Sequence, residues 1–297
     1  MRRRARLVQC ALLSDGDLPM PLPFVLAAVL TAAAPDPMTA PIVAAENGFS
    51  ADSRRYGVRV AFLAHFDAGS WLFRPYPVPA LDALARDGDD GTPLEWNPDT
   101  VGVSAGGDMG FTSGPWSAHA AGTDGLVRGH FLTVWKRGAD GIWRVQVDGG
   151  ISHPALAKPP SEVDIVLRGG DVPLKALAAE DIAKRRAALE KSDDVLRSAL
   201  GDTAGDKAAL WQRTAHADLR VLRAGHTPAT GTDARDLLSH DTARVGSGPR
   251  RALDVASSGD LGYTLGGDAS CAACGKYYRI WRWQDGAWRV LVDLSKP

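Results

Sequence analysis

The sequence predicts an α+β protein built in two tandem domains, each with N-terminal helices packed on a strongly curved antiparallel sheet. Three observations carry this. Gly107-Asp108-Met109-Gly110-Phe111-Thr112, then Gly129 to Trp135, then Asp140 to Asp148 return downstream as Gly259-Asp260-Leu261-Gly262-Tyr263-Thr264, Gly275 to Trp281 and Asp285 to Asp293. The spacing between matching positions changes by only a few residues, so the repeated unit is a small domain and not a solenoid turn. Helix-forming stretches precede the matched segments in both halves, and the strand-like segments then follow one another directly, which excludes βαβ alternation. At 297 residues the chain has room for two such units.

Residues 1–45 stand apart as a leader. Arg2, Arg3, Arg4 and Arg6 form the basic cluster, Leu22 to Ala34 is an apolar run too short to span a bilayer, and Ala32-Ala33-Ala34 and Val43-Ala44-Ala45 both fit small-residue cleavage sites. The expected location is secreted or periplasmic. Ser14-Asp15-Gly16-Asp17 interrupts the pattern, which leaves open a start at Met20 and, as the alternative to export, a Pro- and Ala-rich cytoplasmic tail. No stable membrane span is expected after leader removal.

The first domain is expected over 46–153. Phe49, Tyr56, Val60 and Leu63 recur at helical spacing, predicting a helix from Ala51 to Phe66 that Gly69 ends. Trp71-Leu72-Phe73 reads as a short strand closed by Pro75, Pro77 and Pro79. Leu81 to Ala85 is a second short helix, and Gly88, Gly91 and Pro93 mark a loop. Strands follow at Thr100 to Ala105, Gly110 to His119, His130 to Lys136 and Ile142 to Asp148, the last two joined by a tight turn at Asp140-Gly141.

Residues 154–173, rich in proline and polar groups, read as a linker in which only Val163 to Leu167 has an ordered pattern. The second domain, 174–297, opens with a helix over Leu174 to Leu189, and Ser192-Asp193-Asp194 resembles an N-cap starting another. Leu219 to Leu222 matches the Trp71 strand, and the closing strands repeat those of the first copy.

Composition narrows the function. Hydrophobic residues at 45% and charged residues at 23% are ordinary globular values, and a net charge of −1 argues against a nucleic-acid partner. No G-x-G-x-x-G follows a strand and no Walker sequence occurs, so no nucleotide cofactor is expected. Cys271 and Cys274 remain once the leader with Cys10 is set aside; they read as a local disulfide or an idle thiol pair, with redox or zinc chemistry as alternatives. No metal is expected: His216 and His226 flank a strand without a carboxylate at ligand spacing, and His119 and His130 fall in different strands.

The Phe73-Arg74-Pro75 step, Leu94-Glu95-Trp96-Asn97-Pro98, the Gly-Asp-x-Gly-aromatic-Thr strand and the Trp135 to Gly150 hairpin together resemble the nuclear transport factor 2-like superfamily, within it the SnoaL-like branch of often uncharacterised exported bacterial proteins. Both copies carry the resemblance, from about Glu46 onward. It implies two cone-shaped domains, each with a pocket between helix and sheet open at one end. The superfamily holds isomerases, dehydratases, cyclases and plain binding or assembly modules, so the fold does not choose the function.

Residues common to both copies, such as Arg74 and Arg223, Asp108 and Asp260, or Asp148 and Asp293, read mostly as scaffold. Polar residues in one copy only are the better site candidates. Tyr56, Arg74, Trp116 and His130 are the expected ligand contacts, with Arg74 as the polar anchor. His130, Asp108 and His65 are the catalytic candidates, because a histidine beside a carboxylate can shuttle a proton near neutral pH. Trp143, Val145 and Val147 are expected on one strand face, with Arg144, Gln146 and Asp148 on the other. The first expectation is an exported protein holding a small apolar or amphipathic ligand in the first domain. The alternatives are a ketosteroid-isomerase-like or SnoaL-like isomerase, dehydratase or cyclase, and an intrachain pseudo-dimer without activity.

Overall fold

A computed structural model describes residues 37–86, 93–119, 125–155, 165–167, 175–202, 204–241, 245–271 and 274–296. The apolar leader run, Gly88 and Gly91, and most of the linker lie outside the described residues.

The first half opens with α1 (Ala40–Tyr56) and α2 (Val58–His65), then β1 (Phe66–Phe73), β2 (Pro77–Pro79), α3 (Ala80–Arg86), β3 (Leu94–Trp96), β4 (Thr100–Val103), β5 (Met109–His119), β6 (Leu126–Arg137), β7 (Trp143–Ser152) and β8 (Ile165–Leu167). The helix expected from Ala51 to Phe66 is therefore two. Gly57, at φ 91°, makes the break with a backbone conformation that side chains with a Cβ rarely adopt. The leader boundary at residue 45 falls inside α1: Ile42 is fully buried in the first-half core, and Val43-Ala44-Ala45 is helix. Pro41 in the first turn masks this start by its resemblance to leader sequence, although proline suits that position.

The second half repeats the order with α4 (Ala179–Gly201), α5 (Lys207–Thr214), β9 (Ala215–Arg223), β10 (Ala229–Thr230), α6 (Gly231–Ser239), β11 (Arg250–Val255), β12 (Leu261–Gly266), β13 (Lys276–Gln284) and β14 (Ala287–Lys296). Helix α4 is continuous through Ser192-Asp193-Asp194. Asp193 does not cap a helix because its side chain is fully buried, accepting from Thr264, Tyr277 and Arg279.

The sheets run β2-β1-β7-β6-β5-β4-β8, with β3 on β5, and β10-β9-β14-β13-β12-β11. They are mixed, where an antiparallel sheet was expected. The first long strand of each half lies parallel to the last, β1 to β7 and β9 to β14, because the whole intervening meander serves as the crossover that parallel neighbours require. Strand β8, from the linker, adds parallel to β4.

Each sheet buries both faces. Helix-side clusters hold Phe49, Phe62, Trp96, Phe131 and Trp135 in the first half and Leu196, Trp211, Trp281 and Trp288 in the second. The opposite faces meet in one shared core, where Phe111, Leu132, Val134 and Val147 join Tyr263, Tyr278, Ile280 and Val292. A bulge in the β6–β7 ladder lets Val145 pair with Trp135 but Val147 with Val134. The extra residue reverses the alternation, so Val147 joins the shared core instead of the face of Trp143 and Val145. The β13–β14 ladder shifts at the matching place, between Ile280 and Trp281.

Polar contacts rim the shared core in a reciprocal pattern. Ser257 N–H donates to Asp108 Oδ2 at 2.9 Å, and Ala105 N–H donates to Asp260 Oδ2 at 3.0 Å. Both aspartates follow a glycine of positive φ, Gly107 at 69° and Gly259 at 70°, which turns the hairpin back on itself. Asp260 also accepts from buried Arg282 at 2.9 Å. Asp260→Ala therefore strips a buried guanidinium of a carboxylate and is expected to cost about 3–5 kcal/mol. Asp108→Ala loses neutral donors only and is expected to cost about 1–3 kcal/mol. Urea unfolding followed by tryptophan fluorescence measures both; equal losses would show that the two ends of the contact are energetically alike.

Candidate functional site

Between the leading helices and the bent sheet of the first half lies a cavity of about 450 Å³. Phe49 from α1, Phe62 from α2, Leu94 and Trp96 from β3, Trp116 from β5 and Phe131 from β6 make an aromatic body. The mouth is polar: Arg74 at the end of β1, Asp148 on β7 and, from the second half, Lys296 on β14 beside Ala224.

Burial raises the Asp148 pKa, opposed by Arg74 and by a hydrogen bond from Thr133. The Thr133 hydroxyl donates to Oδ1 at 2.9 Å, while Arg74 Nη2 stands 3.5 Å from Oδ2 with its own side chain half exposed. Arg74 also lies over the Phe62 ring, at 5.0 Å. The Lys296 ammonium sits 4.8 Å above the Phe73 ring and donates to the Phe73 carbonyl at 3.5 Å. Burial, reinforced by the charges of Arg74 and Lys276, lowers the Lys296 pKa to about 8.

Below the cavity floor, Glu46 of α1 is fully buried. Trp96 Nε1 donates to its Oε1 at 2.5 Å, while Trp135 Nε1 at 2.9 Å and the Thr112 hydroxyl donate to Oε2. Burial raises its pKa to about 7 against the pull of those hydrogen bonds.

Of the expected ligand contacts, Arg74 and Trp116 line the cavity. Tyr56 does not; it ends α1 half exposed, with Arg55 at 5.0 Å over its ring. His130 does not line it either. Strand β6 alternates, so Phe131 faces the cavity and His130 turns away from it. There His130 Nε2 meets Asp99 Oδ2 at 3.1 Å, and Nδ1 meets His153 Nε2 at 2.8 Å. Arg220 of the second half reaches the same Asp99 at 3.3 Å. Burial lowers the His130 pKa, the Asp99 hydrogen bond notwithstanding. The expected partner of His130, Asp108, is instead the acceptor for Ser257 and Ser104. His65 closes α2, pairs with Asp52 at 2.9 Å and packs on the Phe49 ring with centroids 4.8 Å apart. Cys271 and Cys274 are joined by a disulfide. Among the described residues no group of three or more His, Cys, Asp or Glu is placed to hold a metal ion, and no helix is long and apolar enough to cross a membrane.

The second half has a different interior at the corresponding place. Arg279 occupies the position of Thr133; its Nε donates to Asp293 at 2.7 Å and its Nη1 reaches Asp193 at 3.3 Å, all three groups fully buried. Arg223, matching Arg74, donates to Asp293 Oδ2 at 2.6 Å and pairs with Asp241 at 2.8 Å. Tyr277, matching Phe131, donates to Asp193 at 2.8 Å. Arg279 and Tyr277, bonded to buried carboxylates, thus stand where the first half has Thr133 and Phe131.

Asp148, Lys296 and Glu46 were not expected at the site. Asp148 was hidden by the bulge, and Glu46 by a helix start that looked like leader. The signal available in the sequence was the mismatch of Thr133 with Arg279 at matched positions.

No protein-family model matches the chain, and no curated protein matches it significantly. Among solved structures it is similar to an NTF-2-like protein of unknown function from Shewanella oneidensis MR-1, at 14% identity over 37% of this chain and 96% of that one, TM-score 0.32. It is also similar to a nuclear transport factor 2-like superfamily protein from Salmonella enterica serovar Typhimurium LT2, at 12% identity over 39% of this chain and 91% of that one, TM-score 0.31. A third is the Δ5-3-ketosteroid isomerase from a Mycobacterium species, at 14% identity over 37% of this chain and 91% of that one, TM-score 0.29.

The Glu46 cluster sets a pH dependence. Its folded pKa of about 7 exceeds the ordinary value of 4.5, so the stabilisation from binding the proton is complete below about pH 4.5 and is lost as pH rises through 7. The loss is on the order of 3 kcal/mol. Glu46→Gln sets an amide N–H pair against an indole donor and is expected to be less stable at pH 5, with the slope between pH 4.5 and 7 removed. Denaturant unfolding at several pH values measures it; an unchanged slope would assign the dependence to another group.

Proposed function

We propose that this is an exported binding protein that holds a small amphipathic molecule in the first-half cavity, with the second half as a filled partner in a covalent pseudo-dimer. The observation that carries this reading is the contrast between the halves. The first presents an aromatic cavity of about 450 Å³ with charge confined to its mouth, within the range of small-molecule sites. The second spends the same volume on Arg279 and Tyr277. The basic cluster and apolar run at the N-terminus, together with the Cys271–Cys274 disulfide, support an oxidising compartment outside the cytoplasm.

A second reading, an isomerase, dehydratase or cyclase, is favoured by Asp148. It is a buried carboxyl with a raised pKa that lines the cavity beside Arg74, the setting a proton-transfer group needs. His130, Asp108 and His65 would not serve that chemistry, since none of them lines the cavity.

Native mass spectrometry of protein purified from its own host tests the binding reading, which expects a retained small molecule at one equivalent. Thr133→Arg gives the first half the residue that fills the second, and is expected to abolish retention while the protein still unfolds cooperatively. Retention by the Thr133→Arg protein would place the ligand elsewhere.

A further inference from the structure

We propose that the ligand carries a single carboxylate, gripped at the cavity mouth by Arg74 of the first half together with Lys296 of the second. This rests on the binding reading of the cavity and names the chemical class it takes.

Two cations and one carboxylate line the mouth, so the balance there is positive. The carboxylate does not absorb both cations. Thr133 engages Asp148 Oδ1, and Arg74 approaches Oδ2 only to 3.5 Å. In the second half the matching Asp293 is held at 2.6 Å by Arg223 and at 2.7 Å by Arg279, which leaves its arginines committed. Arg74, by contrast, is half exposed, with its guanidinium carbon 5.0 Å over the Phe62 ring and its planar fork not locked to a carboxylate. Lys296 donates to the Phe73 carbonyl only at 3.5 Å. The two cations also repel each other, as the effect of Arg74 on the Lys296 ammonium shows. An anion between them removes that repulsion and gains charge-assisted hydrogen bonds, bidentate on the arginine side.

Asp148 decides which anion. Its carboxyl lines the same mouth and penalises a dianion more than a monoanion, which favours a carboxylate over a phosphate monoester. The aromatic walls, Trp96, Trp116 and Phe131 among them, suit a flat or alicyclic apolar body behind that group. The site is incomplete without the second half, whose contribution is the cation on β14.

Titration of the full chain with 2-naphthoate, 2-naphthamide, 2-naphthylmethylammonium and 2-naphthyl phosphate, followed by tryptophan fluorescence, tests this. Naphthoate is expected to bind at least about ten-fold more tightly than the amide, with the ammonium weakest. Lys296→Met and Arg74→Gln are each expected to bring naphthoate down to the level of the amide while amide binding holds, and Lys296→Arg to keep the preference. Thermal melts show whether each variant folds; should Arg74→Gln not, Lys296→Met decides. Equal affinity for naphthoate and the amide overturns the anion inference and leaves the cavity reading standing. Tighter binding of the phosphate overturns the choice of carboxylate. If no naphthyl compound binds, the cavity reading falls with it.

Discussion

A buried acid on the leading helix sets the character of each half. Glu46 on α1 and Asp193 on α4 are both without solvent contact beneath a bent sheet, where an unsatisfied carboxyl is costly. Their partners differ. Glu46 is met by two indoles and a threonine hydroxyl, neutral groups that leave its proton affinity high. Asp193 is met by Thr264 and Tyr277 but also by the guanidiniums of Arg279 and Arg250. Long charged side chains must then run through the interior to reach it, and they consume the volume under the second sheet. With neutral partners, the first half keeps that volume empty.

The arrangement of the halves follows from strand alternation once both faces of each sheet are apolar. One face takes the helices and the other takes the opposite sheet, with Tyr278 donating across to the Val147 carbonyl at 3.4 Å. The exchange of Asp108 with Ser257 and of Asp260 with Ala105 is the reciprocity that an isologous contact between identical copies has. The two sides differ beside that reciprocal contact: Lys136 reaches across to Asp254 at 2.6 Å, whereas Arg282, at the matching position, turns to Asp260 of its own half.

Much of the architecture was legible because it is written twice. The matched Gly-Asp-x-Gly-aromatic-Thr strands and Trp-Arg hairpins locate β5 to β7 and β12 to β14, and aspartates shared by both copies prove to be contacts between halves. The site was less legible, for definite reasons. Pattern reading assumes unbroken alternation, and one bulge moved Val147 out of the expected face. Ala44 and Ala45 carry no helical signal strong enough to separate α1 from a leader, so Glu46 lay unseen at an assumed boundary. His130 stood out as a residue of one copy only, but its partner Asp99, 31 residues away, is brought to it by the packing of the strands and not by anything local in the chain. Lys296 reaches Phe73 and the cavity only after two sheets pack, a placement with no local signature in the chain.

The filled interior of the second half bears on the open one through strand β14. Asp293 and Ser295 on that strand are locked from below: Arg223 and Arg279 hold the Asp293 carboxylate, and the Ser295 hydroxyl donates to it at 3.1 Å. Lys296 is the next residue, and its ammonium crosses to Phe73 of the first half. A charged group at the end of a free strand would lose rotational freedom each time it engaged a ligand, a cost of about 0.5–1.5 kcal/mol for a side chain of this kind. Fixing the backbone one residue earlier confines what remains to the lysine stem, which already lies along the Phe73 ring. Rigidity around Asp293 in the second half is thus what holds the Lys296 cation at the cavity of the first.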